Sequence, residues 1–287
     1  MLDAKKTIVR AASGAVYVSL IILACWWGDL GVTLLAGLLG SLGVSEFRHM
    51  RFPQLGNDSI GLYDITGALS LIFAPLSTPY IPYPFLILWL IWLIGRMIIA
   101  IYSRHPHPEK EFSVDMAAQL YIAFPMALLT AMSIHSYSAE LTCMPILSMF
   151  ILIWINDTGA YIFGSTLGRH KMFERVSPKK SWEGLAGGMT CTVAAGIAIG
   201  ASASPLSRIN VANPTLFWGI GALVISVAST FGDLFESVIK RNLKIKDSGN
   251  LMPGHGGILD RIDSLLMVIP ASLVYYICYR YISIILP

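Results

Sequence analysis

The sequence predicts an all-α polytopic membrane protein of about nine transmembrane helices, with a cytoplasmic amino terminus and its carboxy terminus outside. Three observations carry this. The 287 residues are 55% hydrophobic and only 13% charged, whereas soluble domains carry about 25% charged residues. Apolar runs near the roughly 20 residues that span a ~30 Å hydrocarbon core recur along the chain. The basic residues gather in alternate connections between those runs, as lysine and arginine do in cytoplasmic loops.

The first run, 8–27, resembles a leader in length but ends in Cys25-Trp26-Trp27 instead of a small-residue cleavage site, so it reads as a retained anchor. The next lies at 30–47. The third, 61–77, is short and interrupted by Asp64. Runs at 83–103, 114–135 and 142–165 follow, and then 182–203, 214–239 and 263–285. With the amino terminus inside, Lys5, Lys6 and Arg10 are cytoplasmic, as are Arg48 and Arg51, Arg104 and Lys110. So are Arg169, Lys171, Arg175, Lys179 and Lys180 after the sixth run, and Lys240, Arg241, Lys244, Lys246 and Arg261 after the eighth. Arg208 alone falls in an outside loop, while Arg96 and Arg280 lie within spans.

No polar stretch is long enough to fold as a soluble domain, and no repeat of 20–50 residues or inverted duplication is visible. The net charge of +3 gives no basis for a nucleic-acid partner. Cys25, Cys143, Cys191 and Cys278 lie scattered in apolar runs without metal-ligand spacing, which reads as buried thiols, not disulfides or a zinc site. Residues 1–140 read as a scaffold of helices that gives lipid access. Residues 141–287 read as the catalytic half, with cytoplasmic loops at 166–181 and 240–262.

An ionisable group inside a span marks function or a buried pair. Here the set is Glu46, Asp64, Arg96, Asp157, Asp233 and Glu236. Glu46, Asp64 and Arg96 read as a structural pairing or a lipid-headgroup site. Asp233, Glu236 and Lys240 share one helical face, and Asp260 and Asp263 stand three apart where the last span begins. If those two helices meet, up to four carboxylates converge beside five basic residues. Hard oxygen donors of that kind suit Mg2+, with Asp233 and Asp260 as the favoured ligands. The alternative is that the carboxylates neutralise the neighbouring lysines and arginines.

Three further segments extend the pattern. Gly254, Gly256 and Gly257 around His255 permit an anion-binding turn, or form a plain connection. The turn matches neither a Walker A loop nor GxGxxG. Ser177-Pro178-Lys179-Lys180-Ser181-Trp182-Glu183-Gly184 reads as a helix start, with Pro178 in the first turn. That places Lys179 and Lys180 at a helix amino terminus, as a triphosphate clamp or as ordinary positive-inside charge. Asn156-Asp157, late in the sixth span, offers a carboxylate to a nucleotide or metal, or to a neighbouring helix.

The stretch Ser237–Asp263 resembles the signature of phosphatidate cytidylyltransferases, also called CDP-diacylglycerol synthases. That pattern is S-x-x-K-R, four residues, K-D, a spacer, H-G-G, two residues, and D-R-x-D. It is met at Ser237, Lys240, Arg241, Lys246, Asp247, His255, Gly256, Gly257, Asp260, Arg261 and Asp263. The likeness extends through Gly232–Glu236, Ser177–Gly184 and Asn156–Tyr161, covering roughly 155–265. The first 140 residues fit in hydropathy and length only. Met252 stands where related sequences often have Leu, Ile or Phe.

The resemblance implies transfer of CMP from CTP to phosphatidic acid, giving CDP-diacylglycerol and pyrophosphate. It implies a divalent metal, Mg2+, on Asp233 and Asp260, an accessory K+, and commonly a homodimer. Lys240, Arg241, Lys246, Asp247 and Asp263 then take catalytic roles. Lys179, Lys180, Asp157, His255, Gly256, Gly257 and Arg261 take substrate-binding ones. A bacterial plasma membrane with the site facing the cytoplasm is the expected location. A CTP-dependent lipid kinase of the polyprenol type and an anion transporter are the alternatives.

Overall fold

The computed structural model describes residues 2–52, 59–76, 84–134, 143–202, 204–207, 209, 211–252, 254 and 256–285, with side chains from residue 8 onward and not for 59 or 283–285. Among them run ten α-helices and one short hairpin: α1 (Leu2–Trp27), α2 (Asp29–Arg51), α3 (Ser59–Phe73), α4 (Pro84–Tyr102), α5 (Pro108–Ala118), α6 (Phe124–Ile134), α7 (Met144–Leu167), β1 (Lys171–Phe173), β2 (Ser177–Ser181), α8 (Trp182–Ala201), α9 (Pro214–Asn242) and α10 (Leu259–Ile285). Eight of the helical runs are long and apolar enough to cross a membrane, and Ile60–Leu76 is a shorter apolar helix. The chain is therefore an all-α polytopic membrane protein. Asp64 and the short third run explain why that element falls below the spanning length the others reach.

The chain divides into two compact units. One comprises Met1–Ile134 with Asp247–Ile262, the other His135–Lys246 with Asp263–Pro287. Residues 247–262 thus fall in the first unit.

In the first unit, α2 packs on α1, α3 and α6. Its buried face carries Val32, Leu35, Ala36, Leu39 and Phe47, at helical spacing. In contrast, α4 buries only Trp92 and Arg96 and exposes Ile87, Leu88, Ile91, Ile94 and Ile98, as a lipid-facing helix does. α5 and α6 form one continuous run, Pro108–Ile134, interrupted by a π turn at Gln119–Ala123. Pro125, just beyond, lacks an N–H and crowds the carbonyl four residues back, so a widened turn relieves the helix there.

This unit holds a buried ion network. Arg48 Nη1 donates to Asp64 Oδ2 (3.0 Å) and Asp115 Oδ1 (2.5 Å), and Arg48 Nη2 donates to Glu111 Oε1 (2.6 Å). Arg96 pairs with Asp64 (Nε to Oδ1, 3.1 Å) and with the other oxygen of Asp115. All five side chains are at most 5% exposed. The expected pairing of Asp64 with Arg96 is present. Glu46 is not part of it, and Arg48, Glu111 and Asp115 complete it instead.

In the second unit, α8 lies between α7 and α9 through two small-residue faces. A Cβ on Gly188 would stand 2.8 Å from the Asn156 carbonyl of α7, and one on Gly196 would stand 2.5 Å from the Trp218 carbonyl of α9. Backbones that approach so closely favour helix association in lipid, where no hydrophobic force distinguishes helix from acyl chain. Buried Ser226 on α9 donates to Asn156 Oδ1 at 2.5 Å, tying α7 to α9.

Residues 177–181 form β2, antiparallel to β1, and are not the first turn of a helix. The true cap is Ser181, whose Oγ accepts the Gly184 N–H at 3.1 Å, and α8 begins at Trp182. Pro178 suits an extended edge strand as well as a helix start, because it has no N–H to leave unpaired. Lys179 and Lys180 therefore project from a hairpin. Arg208 lies outside the described residues.

Candidate active site

The site begins with glycine. A Cβ on Gly232 of α9 would lie 2.7 Å from the Asp263 carbonyl, so only glycine lets α10 come this near. Ser264 Oγ seals the contact by donating to the Ser229 carbonyl at 3.1 Å. The approach brings Asp263 to the α9 face that carries Asp233 and Glu236. One carboxylate oxygen from each of the three lies within 4.8 Å of the others.

Two ammonium groups border the cluster. Lys180 Nζ, from β2, is 2.7 Å from Asp233 Oδ2 and donates to the Thr230 carbonyl at 3.1 Å. Lys240 Nζ is 2.5 Å from Glu236 Oε2, one turn along α9. Glu236 is fully buried and Lys240 nearly so, at 8% exposed. A buried carboxylate is tolerated when paired and is costly alone, which accounts for Lys240 beside Glu236. Ser237 Oγ donates to Asp233 Oδ1 at 3.4 Å. Asp157, on α7, accepts from Ser229 Oγ at 3.4 Å.

The remaining expected residues have distinct positions. Arg241 donates Nε to the Val176 carbonyl (3.3 Å) and Nη1 to that of Ile245 (3.2 Å), bracing the hairpin and the end of α9. Lys179, Lys246 and Asp247 are exposed. Arg261 is exposed, and its carbonyl accepts from Tyr17 of α1 at 3.1 Å. His255 lies outside the described residues.

Asp260 sits in the first unit, in the opening turn of α10. Its Oδ2 accepts the N–H groups of Ser248 (3.0 Å) and Gly257 (2.9 Å). The glycine turn is built around these bonds. Gly254 and Gly256 have φ of 76° and 85°, conformations that side chains resist. Met252 N–H closes the turn on the Gly256 carbonyl at 2.9 Å. Its Gly257 N–H is thus directed to the protein's own carboxylate. Glu46 accepts the next two, from Ile258 (2.9 Å) and Leu259 (3.0 Å), and also bonds Ser248 Oγ.

The structure therefore brings together Asp233, Glu236, Asp263, Lys180 and Lys240 from the sequence candidates, with Glu236 at the buried centre. Its i, i+3 spacing from Asp233 was the signal for it. Oxygens bound to one hard cation at about 2.0–2.6 Å lie no more than roughly 4–5 Å apart. The three carboxylates fit a single such ion on that measure.

The model of the family described as the cytidylyltransferase family matches residues 8–279. A phosphatidate cytidylyltransferase of Staphylococcus aureus (strain COL) is 42% identical over 125 residues, which are 44% of this chain and 46% of that protein. Proteins of the same name from Staphylococcus haemolyticus (40% over 125 residues) and Staphylococcus epidermidis (41% over 127) match over the same 44% and 46% shares. By those alignments the chain spans about half the length of the curated relatives it matches. With the family model spanning nearly its full length, the chain belongs to the cytidylyltransferase family.

Proposed function

We propose that this protein transfers the CMP moiety of CTP to phosphatidic acid, giving CDP-diacylglycerol and pyrophosphate. The observation that carries the reading is the Asp233–Glu236–Asp263 group bordered by Lys180 and Lys240, in a chain of this family. An oxygen of the lipid phosphate attacks the α-phosphorus of CTP, and the bond from that phosphorus to the bridging oxygen of pyrophosphate breaks. A phosphate monoester is mostly ionised near neutrality, its second pKa being about 6, so no general base is assigned.

Catalysis of this kind rests on positioning and charge neutralisation. Lys180 and Lys240 would exchange their carboxylate partners for phosphate oxygens. Lys179, Lys246 and Arg261, all exposed, are the further cations assigned to substrate. Asp233, Glu236 and Asp263 would hold Mg2+, which when bound neutralises triphosphate charge. Asp260, one turn earlier on α10, remains a ligand by its signature position, and K+ an accessory ion. The amino terminus and these loops are assigned to the cytoplasm, the membrane to a bacterial plasma membrane, and the assembly to a homodimer.

The test is purified protein with labelled CTP and phosphatidic acid, with and without Mg2+. Release of pyrophosphate with a CDP-lipid is expected. Release of CDP with a phosphorylated lipid would assign the chain to lipid kinases instead. Asp233→Asn is expected to abolish the product while the protein still inserts and purifies, and near-normal turnover would overturn the site.

A further inference from the structure

We infer that Glu46 is a positioning residue for the signature segment, acting through Ser248 and the start of α10 without touching substrate. The inference rests on the reading that residues 247–262 take part in the CTP chemistry. Glu46 lies on α2, some 200 residues from this segment, yet its carboxylate is committed to it. Oε1 accepts the Ser248 hydroxyl and the Leu259 N–H (3.0 Å), and Oε2 accepts the Ile258 N–H (2.9 Å).

These are two separate functions of one carboxylate. The bonds to Ile258 and Leu259 place a negative charge on the unsatisfied N–H groups at the α10 amino terminus, where the helix dipole favours it. The bond to Ser248 fixes a residue that holds Asp260 from both sides. Ser248 N–H donates to Asp260 Oδ2 at 3.0 Å, and Ser248 Oγ accepts the Asp260 N–H at 3.3 Å. A continuous path therefore runs from Glu46 through Ser248 to Asp260, the signature carboxylate.

The surroundings fit this carboxylate closely. A Cβ on Gly249 would come 2.6 Å from Glu46 Oε2, and one on Gly257 would collide with Oε1. The glycines at 249 and 257 thus leave room for Glu46, in addition to any freedom they give the turn. Neither is required by φ, since the left-handed glycines of this loop are Gly254 and Gly256.

Glutamine at 46 cannot replace the glutamate. With three donors on two oxygens, either orientation of the amide sets its NH2 against a backbone N–H, that of Ile258 or that of Leu259. Aspartate keeps the charge and both oxygens on a shorter stem.

The experiment compares wild type, Glu46→Gln, Glu46→Asp and Ser248→Ala by amide hydrogen exchange across 247–262 and by the Mg2+ concentration giving half-maximal CDP-lipid formation. Partners that orient a ligand residue typically set 10–100-fold in metal affinity or activity. Glu46→Gln should raise the Mg2+ requirement by about that factor and speed exchange at Ser248, Ile258 and Leu259, with exchange in α3 and α4 unchanged. Glu46→Asp should recover part of both. Ser248→Ala should raise the Mg2+ requirement while leaving Ile258 and Leu259 protected.

Wild-type exchange and Mg2+ response in Glu46→Gln would overturn the inference. So would loss of protection spread evenly over the first unit, which marks a general structural role. If Glu46→Gln does not fold, Ser248→Ala with an unshifted Mg2+ requirement is the overturning result. Absence of CDP-lipid formation in the wild type would defeat the functional reading and leave the exchange comparison to decide the role of Glu46.

Discussion

The ion network of the first unit makes a prediction that depends on geometry more than on charge count. Two guanidiniums face three carboxylates, so neutralising either Asp115 or Glu111 brings the formal sum from −1 to zero. The two positions differ in their partners. Asp115 accepts from Arg48 on one oxygen and from Arg96 on the other, whereas Glu111 accepts from Arg48 Nη2. In Asp115→Asn the amide nitrogen must therefore face one guanidinium, donor against donor. In Glu111→Gln the carbonyl can stay on Arg48 Nη2.

Breaking one side of a buried ion pair costs about 3–5 kcal/mol. Exchanging a charged hydrogen bond for a neutral one costs about 1 kcal/mol. At roughly 2–4 °C per kcal/mol for chains of this order, Asp115→Asn should lower the melting temperature by about 6–20 °C and Glu111→Gln by about 2–4 °C. Thermal unfolding of the purified protein in one detergent, followed by tryptophan fluorescence, measures both. Equal shifts, or a larger one for Glu111→Gln, would refute the assigned partners.

Other outcomes follow from single contacts. Lys180→Met removes the ammonium from Asp233 and should lower kcat for CDP-lipid formation by about 10²–10³, the usual loss for one preorganised donor; a change below about threefold counts against its role. Gly196→Leu drives a side chain into the Trp218 backbone and should destabilise α8 against α9 by about 1–3 kcal/mol or more. Gly219→Leu meets only the flexible Ile197 side chain, at 3.1 Å, and should cost distinctly less in the same unfolding assay.

Much of this molecule was legible because the bilayer fixes helix length. The long apolar runs follow from that rule, and the one run flagged as short and charge-bearing is the element that falls below it. Of the ion network only the Asp64–Arg96 pair was legible, since Arg48 and Asp115 are 67 residues apart and Asp115 reads as the polar edge of a span. The hairpin was missed because Ser177-Pro178 imitates a helix start that Ser181 provides. At the site, spacing placed Asp233 and Glu236 on one face, but only the Gly232 contact with α10 selects Asp263 as their neighbour. Glu46 was visible as a charge in a span, while its partners lie at the far end of the chain.

The charge balance of the cluster bears on the proposed binding of an anionic nucleotide there. Asp233, Glu236 and Asp263 with Lys180 and Lys240 sum formally to −1, and each ammonium already contacts a carboxylate. A triphosphate approaching that cluster is repelled overall. At an effective dielectric near 20, a unit charge pair 4 Å apart is worth about 4 kcal/mol, so the sign of the sum matters. A divalent cation, alone or carried by the nucleotide, turns −1 into +1. Binding of labelled CTP by equilibrium dialysis should therefore be weak in EDTA and recover with Mg2+. Asp233→Asn brings the ion-free formal sum to zero, frees Lys180 from its carboxylate partner, and should bind CTP in EDTA more tightly than the wild type does. Wild-type binding of equal strength with and without the ion would show that other cations, and not this cluster, receive the triphosphate.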